Sequence, residues 1–111
     1  MPFIKLCDFN ELNEVDSREF VISEFSPERN IFIVRNYDNT VAYENSCPHN
    51  SAPLNWLEDI FLTQEKDYIE CVNHGALFEI DNGECIYGPC VGQSLKKVNI
   101  KIDDGVIYAD L

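Results

Sequence analysis

The chain has 111 residues, 45% of them apolar, which suffices for one ordinary globular core and leaves no room for a second catalytic domain, so residues 1–111 are read as a single domain. Twenty acidic against eight basic side chains give a net charge of −12, which disfavours nucleic acid as a partner. The longest aliphatic-aromatic run of the N-terminal half, Ile31-Phe32-Ile33-Val34, is far short of a membrane span, and residues 1–7 lead into no apolar stretch of the signal-peptide kind, so a soluble, cytoplasmic protein with no membrane partner is expected.

Short apolar segments set off by turn signals predict an all-β class. Residues 3–6 read as a first strand, and the polar stretch 8–14 as a helical turn. Strands follow at 19–23 and 30–37, with Ser26-Pro27 between them. Asp38-Asn39 is expected to turn the chain into a strand at 40–43. Residues 56–62 form the one candidate helix. Strands are predicted again at 68–70 and 76–80, with Asn82-Gly83 as a hairpin turn. Val98, Ile100 and Ile102 alternate with Lys97, Asn99 and Lys101, which predicts one buried and one wet face. Asp104-Gly105 then turns the chain into a last strand at 106–109. Of the aromatic residues, Tyr43, Phe61, Phe78 and Tyr87 are expected in the core or in hairpins, and Trp56 against the middle segment or at its rim. There is no repeat, linker or low-complexity tract.

Two short stretches carry the chemistry: Cys47-Pro48-His49 and Cys71-Val72-Asn73-His74, separated by 21 residues. Each sets one thiol and one imidazole on a loop-sized piece of backbone. That is the donor set of a Rieske [2Fe–2S] centre, in which two histidines replace two cysteines on one iron. Two thiolates leave the oxidised centre neutral, where four would make it a dianion. An electron is then added more easily, and the potential rises above that of all-cysteine clusters. The alternative reading of the same four residues is a tetrahedral zinc site, but zinc arms usually pair Cys with Cys and His with His. A third reading has no metal at all, against which both histidines of the chain fall inside these motifs. No Gly-rich phosphate loop is present, and no spare histidine remains for a nucleophilic triad.

The stretch Cys71-Val72-Asn73-His74-Gly75-Ala76-Leu77-Phe78-Glu79-Ile80-Asp81-Asn82-Gly83-Glu84 resembles the second cluster loop of Rieske-type ferredoxins and the hairpin after it. Ala52-Pro53-Leu54 after His49 resembles the first loop, and Gly88-Pro89 the proline-containing third loop that covers the cluster. The likeness runs from about residue 41 to the closing strands at 95–111. It implies a Rieske-like antiparallel β-sandwich or barrel. Strands from both chain ends form its base, and a smaller cluster-binding subdomain at about 44–90 carries the histidines at its tip. It also implies that Cys47 and Cys71 bind one iron and His49 and His74 the other. Two departures stand out: the ligand pairs are a few residues further apart than in small ferredoxins, around 56–66, and Val72 stands where many relatives have proline.

The resemblance also bears on potential. High-potential relatives carry an extra Cys in each cluster loop, where this chain has Ala52 and Asn73, and hydroxyl donors where it has Ala76 and Phe78. Hydrogen bonds to the sulfurs raise the potential, so a low-potential carrier is implied. The function implied is one-electron transfer without catalysis of its own, from an NAD(P)H-dependent flavin reductase to a terminal acceptor such as an oxygenase. The alternatives are a small subunit of a reductase complex of the nitrite reductase type and a zinc-binding interaction module. Cys7, Cys85 and Cys90 remain as reduced, apolar-packed thiols, with a Cys85–Cys90 disulfide as the alternative. The spread carboxylates serve solubility or steering; for steering, Asn55, Glu58 and Asp59 between the ligand loops are the candidates.

Overall fold

The computed structural model describes residues 3–111, so the first two positions of the 1–7 stretch lie outside it. Its nine strands are β1 Phe3–Asp8, β2 Val15–Ile22, β3 Arg29–Asn36, β4 Asn39–Glu44, β5 Ile69–Cys71, β6 Ala76–Phe78, β7 Cys85–Tyr87, β8 Asn99–Asp103 and β9 Val106–Asp110. All pair antiparallel, in three sheets of order β1-β9-β8, β2-β3-β4 and β5-β6-β7. The expected base of strands from both chain ends is the first of these: Phe3 lies opposite Asp110, and β9 runs between β1 and β8.

The apolar run of β3 explains how the sheets stack. Successive strand side chains point to opposite faces. Phe32 and Val34 therefore enter one core with Val41, Tyr43, Leu54, Phe61 and Phe78, while Ile31 and Ile33 enter a second with Cys7, Ala42, Val98 and Ile107. A strand covered on both faces reads as a continuous apolar run. The central sheet thus separates a core shared with the terminal strands from a core shared with β5-β6-β7. The sheet edges are joined by Glu44 N–H donating to Lys96 O at 2.8 Å and Val98 N–H to Ala42 O at 2.9 Å.

Several boundaries differ from expectation. A 3-10 turn at Phe9–Glu11 fulfils the polar 8–14 stretch, capped by the Glu11 carboxylate on the Asp8 N–H. β2 starts at Val15, not at residue 19, because it pairs with β3 along its whole length, from Val15↔Asn36 to Ile22↔Arg29. The polar Asp16-Ser17-Arg18 hides that start in the sequence. The β3–β4 turn falls on Tyr37 and Asp38, one residue before the expected pair, with Tyr37 at φ 58°. Arg35 Nε donates to Tyr37 O and Tyr37 N–H to Glu14 O, and these bonds hold the unusual conformer. The Asp104-Gly105 turn is as expected, with φ of 52° and 75°, the left-handed pair of a two-residue hairpin. The buried face of 98–102 fades along the strand: Val98 is buried, but Ile102 is 46% exposed.

The candidate helix at 56–62 does not form. Residues 56–62 make an irregular turn, with Asp59 at φ 67° and Ile60 N–H bonded to Leu57 O. Tertiary bonds outcompete the helix. The Asp59 carboxylate accepts the Glu19 N–H at 2.8 Å, and the Asp59 carbonyl accepts the Ser17 hydroxyl at 2.6 Å. Phe61 turns inward and stacks on Phe32, with ring centroids 4.1 Å apart and planes 6° from parallel.

Tyr43 anchors the hairpin that follows β6. Its hydroxyl donates to Ile80 O at 2.6 Å, and its ring fills the space where a Cβ on Gly83 would come within 2.7 Å. Burial, and more weakly the Asp81 charge, push the phenol from 10.0 up to about 12. The folded state therefore keeps a proton that the unfolded chain releases. This contribution is intact below pH 10.0 and is lost as pH rises to about 12. Stability measured by denaturant between those limits is expected to fall more steeply for the parent than for Tyr43→Phe.

Candidate metal centre

The two motif loops grow from strand ends. β4 delivers the chain through Asn45 to Cys47, and the loop closes on itself: Cys47 N–H donates to Ala52 O and Ser51 N–H to Cys47 O, both at 2.8 Å. Ser51 takes φ 62° to make this turn, and the Asn50 side chain accepts the Ala52 N–H. The second loop starts at Cys71, the last residue of β5, and returns at Ala76, the first of β6. Gly75 supplies the left-handed φ of 68° that the return needs, with its N–H on Cys71 O at 2.9 Å. The loops are tied together by Val72 N–H to Leu54 O at 3.0 Å and by the Asn73 amide to Pro53 O at 3.1 Å.

This frame sorts the donors by type. Cys47 and Cys71 are buried and their thiols adjoin. His49 and His74 are exposed, with ring centroids 4.8 Å apart and planes at 85°. Burial pushes the Cys47 thiol up, and the nearby backbone N–H groups of His49 and Asn50 act in the opposite sense. Those amides favour the thiolate that a metal takes. The site thus has a dry thiol side and a wet imidazole side.

A third loop closes the thiol side. Gly88, at φ 105°, lies so near β6 that a Cβ there would stand 2.8 Å from Ala76 Cα. It brings the Cys90 thiol beside Cys47. The Cys90 thiol donates to Cys85 Sγ at 3.0 Å, and Cys85 in turn to Tyr87 O at 3.3 Å. Cys7 sits apart, in the other core.

Among the described residues, no group of three or more His, Cys, Asp and Glu side chains is arranged to hold a single metal ion. The donors come instead as two pairs, thiol with thiol and imidazole with imidazole. That arrangement fits a two-metal group ligated twice by sulfur and twice by nitrogen, and it fits a tetrahedral zinc poorly.

Some supporting residues escape a sequence reading. Asn45 is buried, and its side-chain oxygen accepts the Leu54 N–H at 2.8 Å while its amide donates to Asn55 and Glu19. Glu19 also accepts from Asn30 and Asn55. This network pins the first loop to the central sheet. Asn55 and Asp59, candidates for steering a partner, are thereby engaged in holding the fold. Glu58 is exposed and lines an open cleft with Pro53 and Trp56. Asn73, read above as lacking the extra cysteine of high-potential relatives, places its amide 3.8 Å from Cys71 Sγ. Trp56 does not pack into the segment, being 79% exposed, and Tyr87 is a hairpin residue that faces solvent.

Comparison with known proteins bears on the family and on the fold. The family model of the Rieske [2Fe–2S] domain matches residues 3–101. The chain is similar in structure to the ferredoxin of carbazole 1,9a-dioxygenase from Nocardioides aromaticivorans IC177, at 21% identity and a TM-score of 0.76, covering 98% of this chain and 97% of that one. A chain in the complex of reduced oxygenase and oxidized ferredoxin of carbazole 1,9a-dioxygenase matches at 22% identity and a TM-score of 0.75, covering 96% and 91%. The terminal oxygenase of carbazole 1,9a-dioxygenase from Novosphingobium sp. KA1 matches at 18% identity and a TM-score of 0.75, covering 98% of this chain but 29% of that one. These identities speak for the fold. No curated protein sequence matches the chain.

Proposed function

The chain belongs to the Rieske [2Fe–2S] domain family, and on that premise we propose that it is a one-electron carrier whose site residues are Cys47, His49, Cys71 and His74. Cys47 and Cys71 would hold one iron, His49 and His74 the other. The carrying observation is the sorted donor set, with buried thiols on one side and two exposed, edge-on imidazoles on the other. When bound, the [2Fe–2S] group supplies reversible exchange of a single electron. The residues do the rest. The apolar core around the thiols keeps water from the sulfur side, the loop amides stabilise thiolate at Cys47, and the imidazole edges mark where a partner approaches. The segment 44–90 acts as the cluster-binding part of one domain.

The partners proposed are an NAD(P)H-dependent flavin reductase as donor and a terminal oxygenase as acceptor, in the cytoplasm. The similarity to a ferredoxin described in complex with its oxygenase supports the acceptor. Among the described residues no helix is long and apolar enough to cross a membrane.

The potential tests the reading. Ala76 and Phe78 offer no hydroxyl to sulfur, and the Asn73 amide at 3.8 Å is a weak donor. The midpoint is expected near the low end of the Rieske range, about −150 mV. Ala76→Ser and Phe78→Tyr should each raise it wherever the new hydroxyl reaches a sulfur. Protein-film voltammetry decides, and a parent midpoint above about +100 mV contradicts the argument.

Partner encounter gives a second expected result. With a net charge of −12, electron transfer to a basic partner should slow as salt rises. Glu58→Lys, beside the first loop, should slow it at low salt, whereas reversal of both Asp103 and Asp104 on the terminal hairpin should do little. Asp59 is a poor choice for this test, because its carboxylate holds the Glu19 N–H. Stopped-flow kinetics across a salt series that show equal effects at both places would leave the acidity as a solubility feature.

A further inference from the structure

The three cysteines outside the proposed ligand set are not equivalent. Cys7 is alone in the terminal-strand core. Cys85 and Cys90 are buried together, and their sulfurs are 3.0 Å apart, inside ordinary sulfur–sulfur contact. The backbone already closes the loop between them. Cys85 N–H donates to Gln93 O, Gln93 N–H donates to Cys90 O, and Leu95 N–H donates to Gly83 O, each at 2.9 Å. These bonds fix both Cα positions, and a covalent link at about 2.05 Å requires the sulfurs to close by only roughly 1 Å.

We propose that Cys85 and Cys90 form a reversible dithiol–disulfide site, a redox-responsive clasp across the loop that backs Cys47. The oxidant is a peroxide of small size, since both thiols are buried. One thiol takes an oxygen atom from hydrogen peroxide, giving a sulfenic acid and one water. The second thiol then attacks that sulfur, its S–H proton leaves with the hydroxyl as a second water, and the S–S bond forms. Two thiols lose two electrons and two protons in all, and one peroxide becomes two waters. A cytosolic disulfide of this kind is transient, and a dithiol reductant reverses it by exchange. The Cys90 thiol also lies beside Cys47, so the clasp rests on the reading that Cys47 is engaged by iron and the partner left for Cys90 is Cys85.

The test treats the purified, iron-loaded protein with hydrogen peroxide and then alkylates it under denaturing conditions. Two alkylatable thiols per chain should be lost and should return after dithiothreitol, with the visible absorption and iron content kept. Chymotrypsin cleaves after Tyr87, between the two cysteines, so peptides carrying Cys85 and Cys90 should stay joined until reduced. In Cys85→Ser no such link should form, and Cys90 should instead climb to acids that dithiothreitol does not reverse. The proposal is overturned if both thiols stay alkylatable, if the parent's two cysteines oxidise singly, or if the bridge found is Cys47–Cys90. Iron and sulfide analysis of the untreated sample judges the functional reading separately from the thiol map.

Discussion

Replacing His74 with alanine is expected to give a folded chain that no longer retains a stable [2Fe–2S] group. The His74 ring is exposed and lies edge-on to His49, so its loss removes a donor without opening the core. The remaining imidazole offers one ligand where two are needed. His49→Ala should behave alike, and Cys47→Ser or Cys71→Ser should fail from the other side by removing a buried thiolate. In the parent, about two irons and two acid-labile sulfides per chain are expected, with a rhombic signal in paramagnetic resonance after dithionite. Cys7→Ser should keep all of these, because Cys7 belongs to the second core. Iron and sulfide analysis with far-UV circular dichroism separates loss of the group from loss of the fold. Stoichiometric zinc without sulfide, in parent protein from iron-replete anaerobic cells, would defeat the assignment.

The largest expected loss of stability comes from Phe61→Ala, at about 3–5 kcal/mol. Phe61 is 1% exposed and stacks on Phe32, and its carbonyl accepts the Glu70 N–H at 2.9 Å. It is the apolar anchor of the irregular stretch between the first loop and β5. A loss of that size is a large part of the roughly 5–15 kcal/mol that holds a domain together. Trp56→Ala, a larger truncation a few residues away, should stay within about 0.5 kcal/mol, because its ring is exposed. Urea unfolding followed by circular dichroism provides the comparison. Similar losses for the two variants would mean that burial does not govern this segment.

What the sequence discloses here divides along physical lines. The class, most of the strands and turns, though not β7, and the pattern that nominates four candidate ligands rest on local signals. Asn82-Gly83 and Asp104-Gly105 set turns through backbone conformation, and Cys-x-His and Cys-x-x-His state a donor set at loop spacing. The double-sided burial of Ile31 to Val34 is likewise written in an uninterrupted run. What stays hidden depends on partners distant in the chain. The stretch 56–62 is drawn from helix to turn by Ser17 and Glu19, some 40 residues earlier. Asn45 and Glu19 look like ordinary polar residues until folding brings Leu54, Asn30 and Asn55 to them. The Cys85–Cys90 approach depends on how the loop beyond Gly88 is framed by Gln93, which residue spacing alone does not specify.

The pairing of Phe3 with Asp110 has a topological consequence. The described chain leaves its two ends side by side on neighbouring strands, so a peptide of a few residues would join them. Joined, the molecule is a ring that can be cut elsewhere, as at the Tyr37-Asp38 turn, without separating any strand pair. Chain ends lying close together are what make such circular permutation tolerable. The cut and the seam would both fall outside the loops that carry Cys47, His49, Cys71 and His74. The order in which the strands are synthesised is then separable from the architecture that holds the site.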